Sequence, residues 1–132
     1  MMAQAIEHHG KPAIKDPVIR HRLLELEARL LAAELHGYRL LTASARNEDT
    51  GIAGMVPKLY STQLAYDISK LAMDVMGAGG LLAQGEPAAP AMGMFGTAYM
   101  WSLGILIAGG AANIQRNIIA ERGLGMPRDA RK

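Results

Sequence analysis

A chain of 132 residues suffices for one domain with a buried core. Half of the residues are hydrophobic, with only one Phe, one Trp and four Tyr, so aliphatic side chains and methionine must fill that core. The lack of cysteine excludes disulfides, thiolate metal sites and thiol catalysis, and a formal charge of +2 with no basic stripe excludes a nucleic-acid footprint.

Taken in chain order, Met1 to Gly10 has no apolar run behind a basic start and does not read as a secretory signal. Asp16-Pro17 is a helix start, with Asp as N-cap and Pro at the first helical position, where no N–H is needed. Ile19, Leu23, Leu26, Leu30 and Ala33 then step by three and four, with charged residues between them, and predict a long amphipathic helix reaching Ala45. Arg46 to Gly51 is a polar turn. A second helix is expected from about Gly54 to Met76, on Val56, Leu64, Ile68, Leu71 and Val75, with Pro57 tolerated in its first turn and Gly77 as its C-cap. Residues 77–92, rich in Gly, Ala and Pro, read as a long connection. A short helix (about Met94 to Leu103) and a final one (about Ala111 to Arg122) follow, ended by Gly123 and Pro127. No useful length alternates with period two. The expected fold is all-α, an up-and-down four-helix bundle over residues 16–127, preceded by a partial opening helix and linker (1–15) and followed by a disordered tail (128–132).

From Pro87 to Gln115 no residue is charged, which raises a membrane span. A span needs about 20 mostly apolar residues, and this run is interrupted by proline and by five glycines. A buried core is the expected reading, with no membrane span and a cytoplasmic location.

Candidate chemistry is sparse. His8 and His9 do not face one another on a helix or strand and have no third ligand at metal spacing; His21 and His36 lie apart on the first helix. Gly77-Ala78-Gly79-Gly80 follows a helix rather than a strand, so it is neither a dinucleotide fingerprint nor a P-loop. The nine methionines read as adaptable core filler. Gly109-Gly110 reads from the residues alone as a tight turn before the last helix.

The segment Gly109 to Pro127 has the pattern G-G-x-x-x-I-Q-R-N-I-I-A-E-R-x-L-G-x-P. It closely resembles the C-terminal signature of the acyl-CoA dehydrogenase family. His9-Gly10-Lys11-Pro12 resembles that family's F-G-K-P junction, Lys58-Leu59-Tyr60 its A-K-L-x helix, and Asp74 to Gly80 its Q-x-x-G-G-x-G loop. The resemblance covers about residues 9–128, the last third of the family's usual length.

The resemblance implies a flavoenzyme that oxidises the Cα–Cβ bond of an acyl-CoA thioester with FAD, and a C-terminal domain that helps complete the flavin and substrate sites and the tetramer. It maps the flavin-facing positions onto Asp74, Gly77, Ala78, Gly110, Ala111 and Asn113. It also marks departures. Gly109 occupies the place of the family's Glu base, Ala111 that of a flavin-contacting Thr, Asp74 that of the loop Gln, and Ile6 that of a phosphate-contacting Arg. The chain is therefore expected to lack a catalytic residue, to hold no FAD alone, and to associate with itself or with a partner acyl-CoA dehydrogenase subunit. A stand-alone structural or oligomerisation bundle without cofactor is the other reading.

Overall fold

The computed structural model describes Gln4, residues 6–8 and residues 10–128. His9 and residues 129–132 of the expected tail lie outside the described residues.

Gln4 is helical, and a short hairpin follows it within the stretch read as partial opening helix and linker. Glu7–His8 (β1) pairs antiparallel with Lys11–Pro12 (β2), and a 3-10 turn, Ala13–Lys15, follows. Gly10, at φ +73°, turns the chain between the strands, and Pro12 has no N–H to give to a helix. The backbone N–H of Ala13 donates to Ile6 O over 2.8 Å, which draws the hairpin onto the core.

Helix α1, Pro17–Ala45, has the expected bounds. One Asp16 carboxylate oxygen accepts the N–H groups of Val18 (2.8 Å) and Ile19 (3.2 Å). Helix α2 is Val56–Met76; Gly54, expected inside it, belongs to a preceding 3-10 turn, Gly51–Met55. Helix α3, Met94–Ile107, runs one turn beyond the expected Leu103, since nothing stops it before Gly109 and Gly110, both at positive φ. Helix α4, Ala112–Ile118, lasts seven residues and then widens into a π-turn, Ile119–Gly123. The expected loop 77–92 contains two 3-10 turns, Gly77–Leu81 and Pro90–Gly93. A Cβ on Gly93 would lie 2.7 Å from Gln84 Cα, so glycine there lets the two ends of the loop touch.

The chain is mainly helical as expected, but three helices are long and α4 is short. Its C-terminal extension packs on the turn Gly51–Met55 instead of lying along the other three. Among the described residues three long helices pack together and a fourth long helix does not join them. Helix α2 sits in the middle, with α1 packed on one side and α3 on the other. Ala13, Ile19, Leu71 and Val75 form the buried cluster, joined by Ile6, Leu23 and Leu26. Polar ties set the register of α1 on α2. Arg29 pairs with Asp67 at 2.8 Å, Tyr60 OH donates to Arg29 O, and the Asp67 hydrogen bond raises the Arg29 pKa above its ordinary value. On the other side Tyr66 and Tyr99 stack with ring centroids 5.8 Å apart, and their hydrogen bond raises the Tyr99 phenol.

By length and composition alone the run Pro90–Gly123 could cross a membrane, one 18-residue window within it reaching a mean hydropathy of 1.4. Its continuous helix, α3, has 14 residues. At 1.5 Å per residue that is about 21 Å, against a hydrocarbon core of about 30 Å.

Two outcomes test this packing. Leu71, 2 % exposed, is expected to cost roughly 2–5 kcal/mol when cut to Ala, read by urea denaturation. The N–H groups of Ile19 and Val18, with a smaller contribution from His8, hold the Asp16 carboxyl below its ordinary 3.8. A lowered folded pKa stabilises above the unfolded value, and that contribution fades as pH falls through the folded one. The wild type should therefore lose stability below about pH 3.8 more steeply than Asp16→Asn, measured by thermal melts across that range.

Candidate functional site

Helix α2 acts as a ruler for the site. Lys58 near its start meets Ile105 near the end of α3, Tyr66 meets Tyr99, and a Cβ on Gly96 would lie 3.0 Å from Gly80 O. The two helices are therefore antiparallel. Asp74, Gly77 and Ala78 lie at the C-terminal end of α2, whereas Gly109, Gly110, Ala111 and Asn113 lie beside its N-terminal end. From Lys58 to Asp74 is about 24 Å along the helix. The expected flavin-facing positions thus form two separate groups.

In the first group Asp74 is not a free anion. Arg22 of α1 holds its carboxylate at 2.8 Å, and both side chains are partly exposed. The repulsion that an unpaired Asp74 would exert on a diphosphate is offset, but Arg22 is committed to doing so. Gly77, at φ +54°, ends α2 and opens onto free space. Gly79 and Gly80 are packed instead. A Cβ on Gly79 would come 3.0 Å from Pro90 Cγ, and one on Gly80 would press on Met73. The glycines after Ala78 make room for the loop's own residues.

The second group is a turn held from two sides. Lys58 Nζ donates to Ile105 O over 2.8 Å, securing a carbonyl in the last turn of α3. Gln115 Nε2 donates to Gly109 O over 2.9 Å. A Cβ on Gly110 would sit 2.8 Å from that same Gln115 nitrogen, so glycine at 110 lets the side chain fold across the turn. A Cβ on Gly109 would rest in ordinary contact with Lys58 Cε, at 3.4 Å. The position carries no carboxylate, and a Cβ there would meet the Lys58 side chain first. Ala111 offers no hydroxyl. Asn113 Oδ1 accepts from Arg116 of its own helix, over 3.2 Å.

Two clefts among the described residues are not lined by these positions themselves, although Val75 of the larger adjoins Asp74. One, of about 510 Å³, lies between α1 and α2 over Leu71, Ala72 and Val75, with Phe95 of α3 at its edge. The other, of about 330 Å³, separates the two helices near His36 and Pro57. His8 and His36 serve the fold. His8 Nδ1 lies 3.3 Å from Asp16, and His36 Nε2 lies 2.9 Å from Ala53 O. Among the described residues no group of three or more His, Asp or Glu could hold a metal ion. Arg22 and Gln115 escaped the sequence reading as site residues, because their partners are fixed only by how the helices pack. Lys58 was visible there only as part of a motif.

The family model described as acyl-CoA dehydrogenase, C-terminal domain, matches residues 2–124. Acyl-CoA dehydrogenase IpdE1 of Mycolicibacterium smegmatis is 34% identical over 120 residues, which is 90% of this chain and 28% of that protein. IpdE1 of Mycobacterium tuberculosis is 35% identical over 120 residues, 90% of this chain and 29% of its own length. Among solved structures, the Tcur3481–Tcur3483 steroid ACAD superposes with a TM-score of 0.78 at 27% identity, covering 88% of this chain and 30% of that one. The ChsE4–ChsE5 complex from Mycobacterium tuberculosis gives 0.79 at 27% identity, covering 96% and 33%. The chain spans less than a third of the length of these relatives.

The family is flavin-dependent, and the residues here do not fit a complete flavin site. One group has its cation already paired, the other has neither hydroxyl nor carboxylate, and about 24 Å of helix separates them.

The turn gives a graded expectation. Gly109→Ala should cost roughly 1–2 kcal/mol, for a left-handed φ alone. Gly110→Ala should cost more, since φ +104° suits alanine less and the new methyl expels Gln115 from its bond. Equal losses in urea melts, or a larger loss at Gly109, would contradict this account of the turn.

Proposed function

Because this chain belongs to the acyl-CoA dehydrogenase family, as its C-terminal domain, we propose that it is the non-catalytic helical part of a flavoenzyme oxidising the Cα–Cβ bond of an acyl-CoA thioester. The observation that carries the proposal is Gly109. A general base must reach the proton it removes, to within hydrogen-bond distance or through one water. Glycine has no such group, and the side chain beside it is Lys58. The chemistry then belongs to residues outside this chain. FAD supplies the hydride acceptor in the family, and this chain contributes at most the edge of that site: the open backbone at Gly77 on one side and the turn at Gly110–Ala111 on the other.

The chain's larger contribution is a surface for association in the cytoplasm. Helix α3 carries no charge, and its outward face presents Met94, Met100, Trp101 and Ile107 to solvent, with Trp101 73 % exposed. Uncovered apolar faces of this size mark interaction sites. Its length favours cover by protein over lipid, and the two-component make-up of the ChsE4–ChsE5 complex favours a partner acyl-CoA dehydrogenase subunit. The steroid ACAD among these neighbours makes steroid-linked acyl-CoA thioesters the first substrate class to offer such an assembly. A cofactor-free oligomerisation bundle is the second reading, favoured by the uncharged, exposed face of α3.

Gel filtration of the chain with excess FAD should give a protein peak without stoichiometric flavin absorbance; a flavin band at one per chain would sink the incompleteness argument. Trp101 is the chain's one tryptophan, so its emission reports cover on α3 directly. Emission should shift to the blue on adding a complete acyl-CoA dehydrogenase partner, and Trp101→Glu should abolish the association.

A further inference from the structure

We infer that residues 82–93 form a sprung strap, closed over the glycine turn at the end of α2 and able to open without unfolding the helices. Its spring is the turn Pro90–Gly93. There Ala91 (φ 49°, ψ 37°), Met92 (φ 53°, ψ 30°) and Gly93 (φ 74°, ψ 7°) are left-handed in succession. Glycine adopts that region freely, whereas a residue with a Cβ is disfavoured there by roughly five- to thirtyfold, from about 1–2 kcal/mol. Ala91 and Met92 both carry that penalty. Strain of this kind persists only where surrounding contacts hold it, and it concentrates in segments that clamp or switch.

The contacts that hold it lie within the strap, on the glycine turn and on α3. Met92 N–H donates to Ala89 O over 3.0 Å, Gly85 N–H to Met92 O over 3.2 Å and Ala89 N–H to Glu86 O over 2.9 Å. Leu82 N–H donates to Gly79 O over 3.3 Å, and Thr97 Oγ1 of α3 to Gln84 Oε1 over 3.2 Å. Ala89 is buried, and the Pro90 ring lies where a Cβ on Gly79 would come within 3.0 Å of it. Gly93 shuts the other end, since a Cβ there would lie 2.8 Å from Ala83 O. None of these contacts reaches the buried cluster of Leu71 and Val75 between α1 and α2.

Rotating Ala91 and Met92 out of the left-handed region releases their strain and lifts Pro90 from Gly79. The loss is those few hydrogen bonds and the cover on Ala89. Released strain offsets part of that loss, so the strap opens at a lower free energy than α2, which must expose its core to unfold. Closed, the strap covers Gly79 and leaves Gly77 open; open, it bares Gly79 as well. It thus sets how much backbone the end of α2 offers to a ligand or partner, independently of where the chemistry of an assembly resides.

The test is amide hydrogen exchange of the full chain, followed by NMR, with circular dichroism as the check on folding. The amides of Gly85, Ala89 and Met92 should share one opening constant, at least about tenfold larger than that of Leu71 and Val75. Ala91→Gly and Met92→Gly should each raise the protection of those amides about threefold, because glycine relieves the strain and returns part of the gain as freedom in the open state. Ala88→Gly, at a position without positive φ, should lower it. Gly93→Ala should abolish it while Leu71 and Val75 stay protected, since its methyl collides with Ala83 O. Strap amides that exchange only as slowly as Leu71 and Val75 overturn the independent opening, and so does Gly93→Ala deprotecting α2 equally. Strap amides without protection in the wild type overturn the closed state. Ala91→Gly and Met92→Gly that behave as Ala88→Gly does overturn the spring.

Discussion

The packing of α2 between two neighbours is the constraint from which the rest of this structure follows. Leu64, Leu71 and Val75 on α2 are almost wholly removed from water, whereas α1 and α3 bury mainly the sides that touch it. With a neighbour on either side α2 is protected most, while α1 and α3 each keep an outer face open to water. Each buried aliphatic side chain contributes roughly 1.5–3 kcal/mol, while ordering each residue's backbone costs about 1–2 kcal/mol. With so few fully buried side chains, that balance is narrow, and further cover of α1 and α3 adds stability. Association is thus a consequence of the architecture before it is a matter of function.

The same arrangement decides what the expected flavin-facing positions can do together. Because α3 runs antiparallel to α2, residues that follow α3 return to the start of α2, and residues that follow α2 sit at its far end. Asp74 and Ala111 are 37 positions apart in the chain and at opposite ends of the helix in space. Either group can border a ligand, but one chain has no surface that brings both around a single small pocket. Gly109 and Lys58 then give the turn the opposite electrostatic character from a base site, since an ammonium neighbours a residue with no acid group.

How much of this was legible in the sequence depended on the range of the interaction responsible. The bounds of α1 were readable because Asp16-Pro17 is a local signal, and the hydrogen bonds to Val18 and Ile19 are the ones that signal implies. The start of α2 was misjudged by two residues, as a 3-10 turn over Gly51–Met55 has the same local composition as a helical first turn. The strands at Glu7–His8 and Lys11–Pro12 were missed because two residues per strand are too few for alternation to register. In the site, the identity of every aligned position was readable, and so was the missing carboxylate at Gly109. The Arg22–Asp74 pair was not, because 52 residues separate the partners and only the packing of α1 on α2 joins them. For Gly110 the sequence suggested a turn, and the structure adds its reason: the space is needed by Gln115.

The paired glycines also bear on what surrounds the molecule. An uncharged run from Pro87 to Gln115 would suit a lipid environment if it formed one unbroken helix, because each backbone N–H and C=O would then be satisfied within the helix. Gly109 and Gly110 adopt positive φ and interrupt it at about 21 Å. Lys58 reaches a backbone carbonyl at that end of α3, and Gln115 reaches the carbonyl of Gly109. A polar clamp at the end of an apolar helix is well suited to a protein surface, where neighbouring side chains can meet the remaining donors. In the hydrocarbon of a membrane the same broken backbone would be left with unmet hydrogen bonds. The glycines that end α3 thus fit the proposal that its apolar face meets another protein.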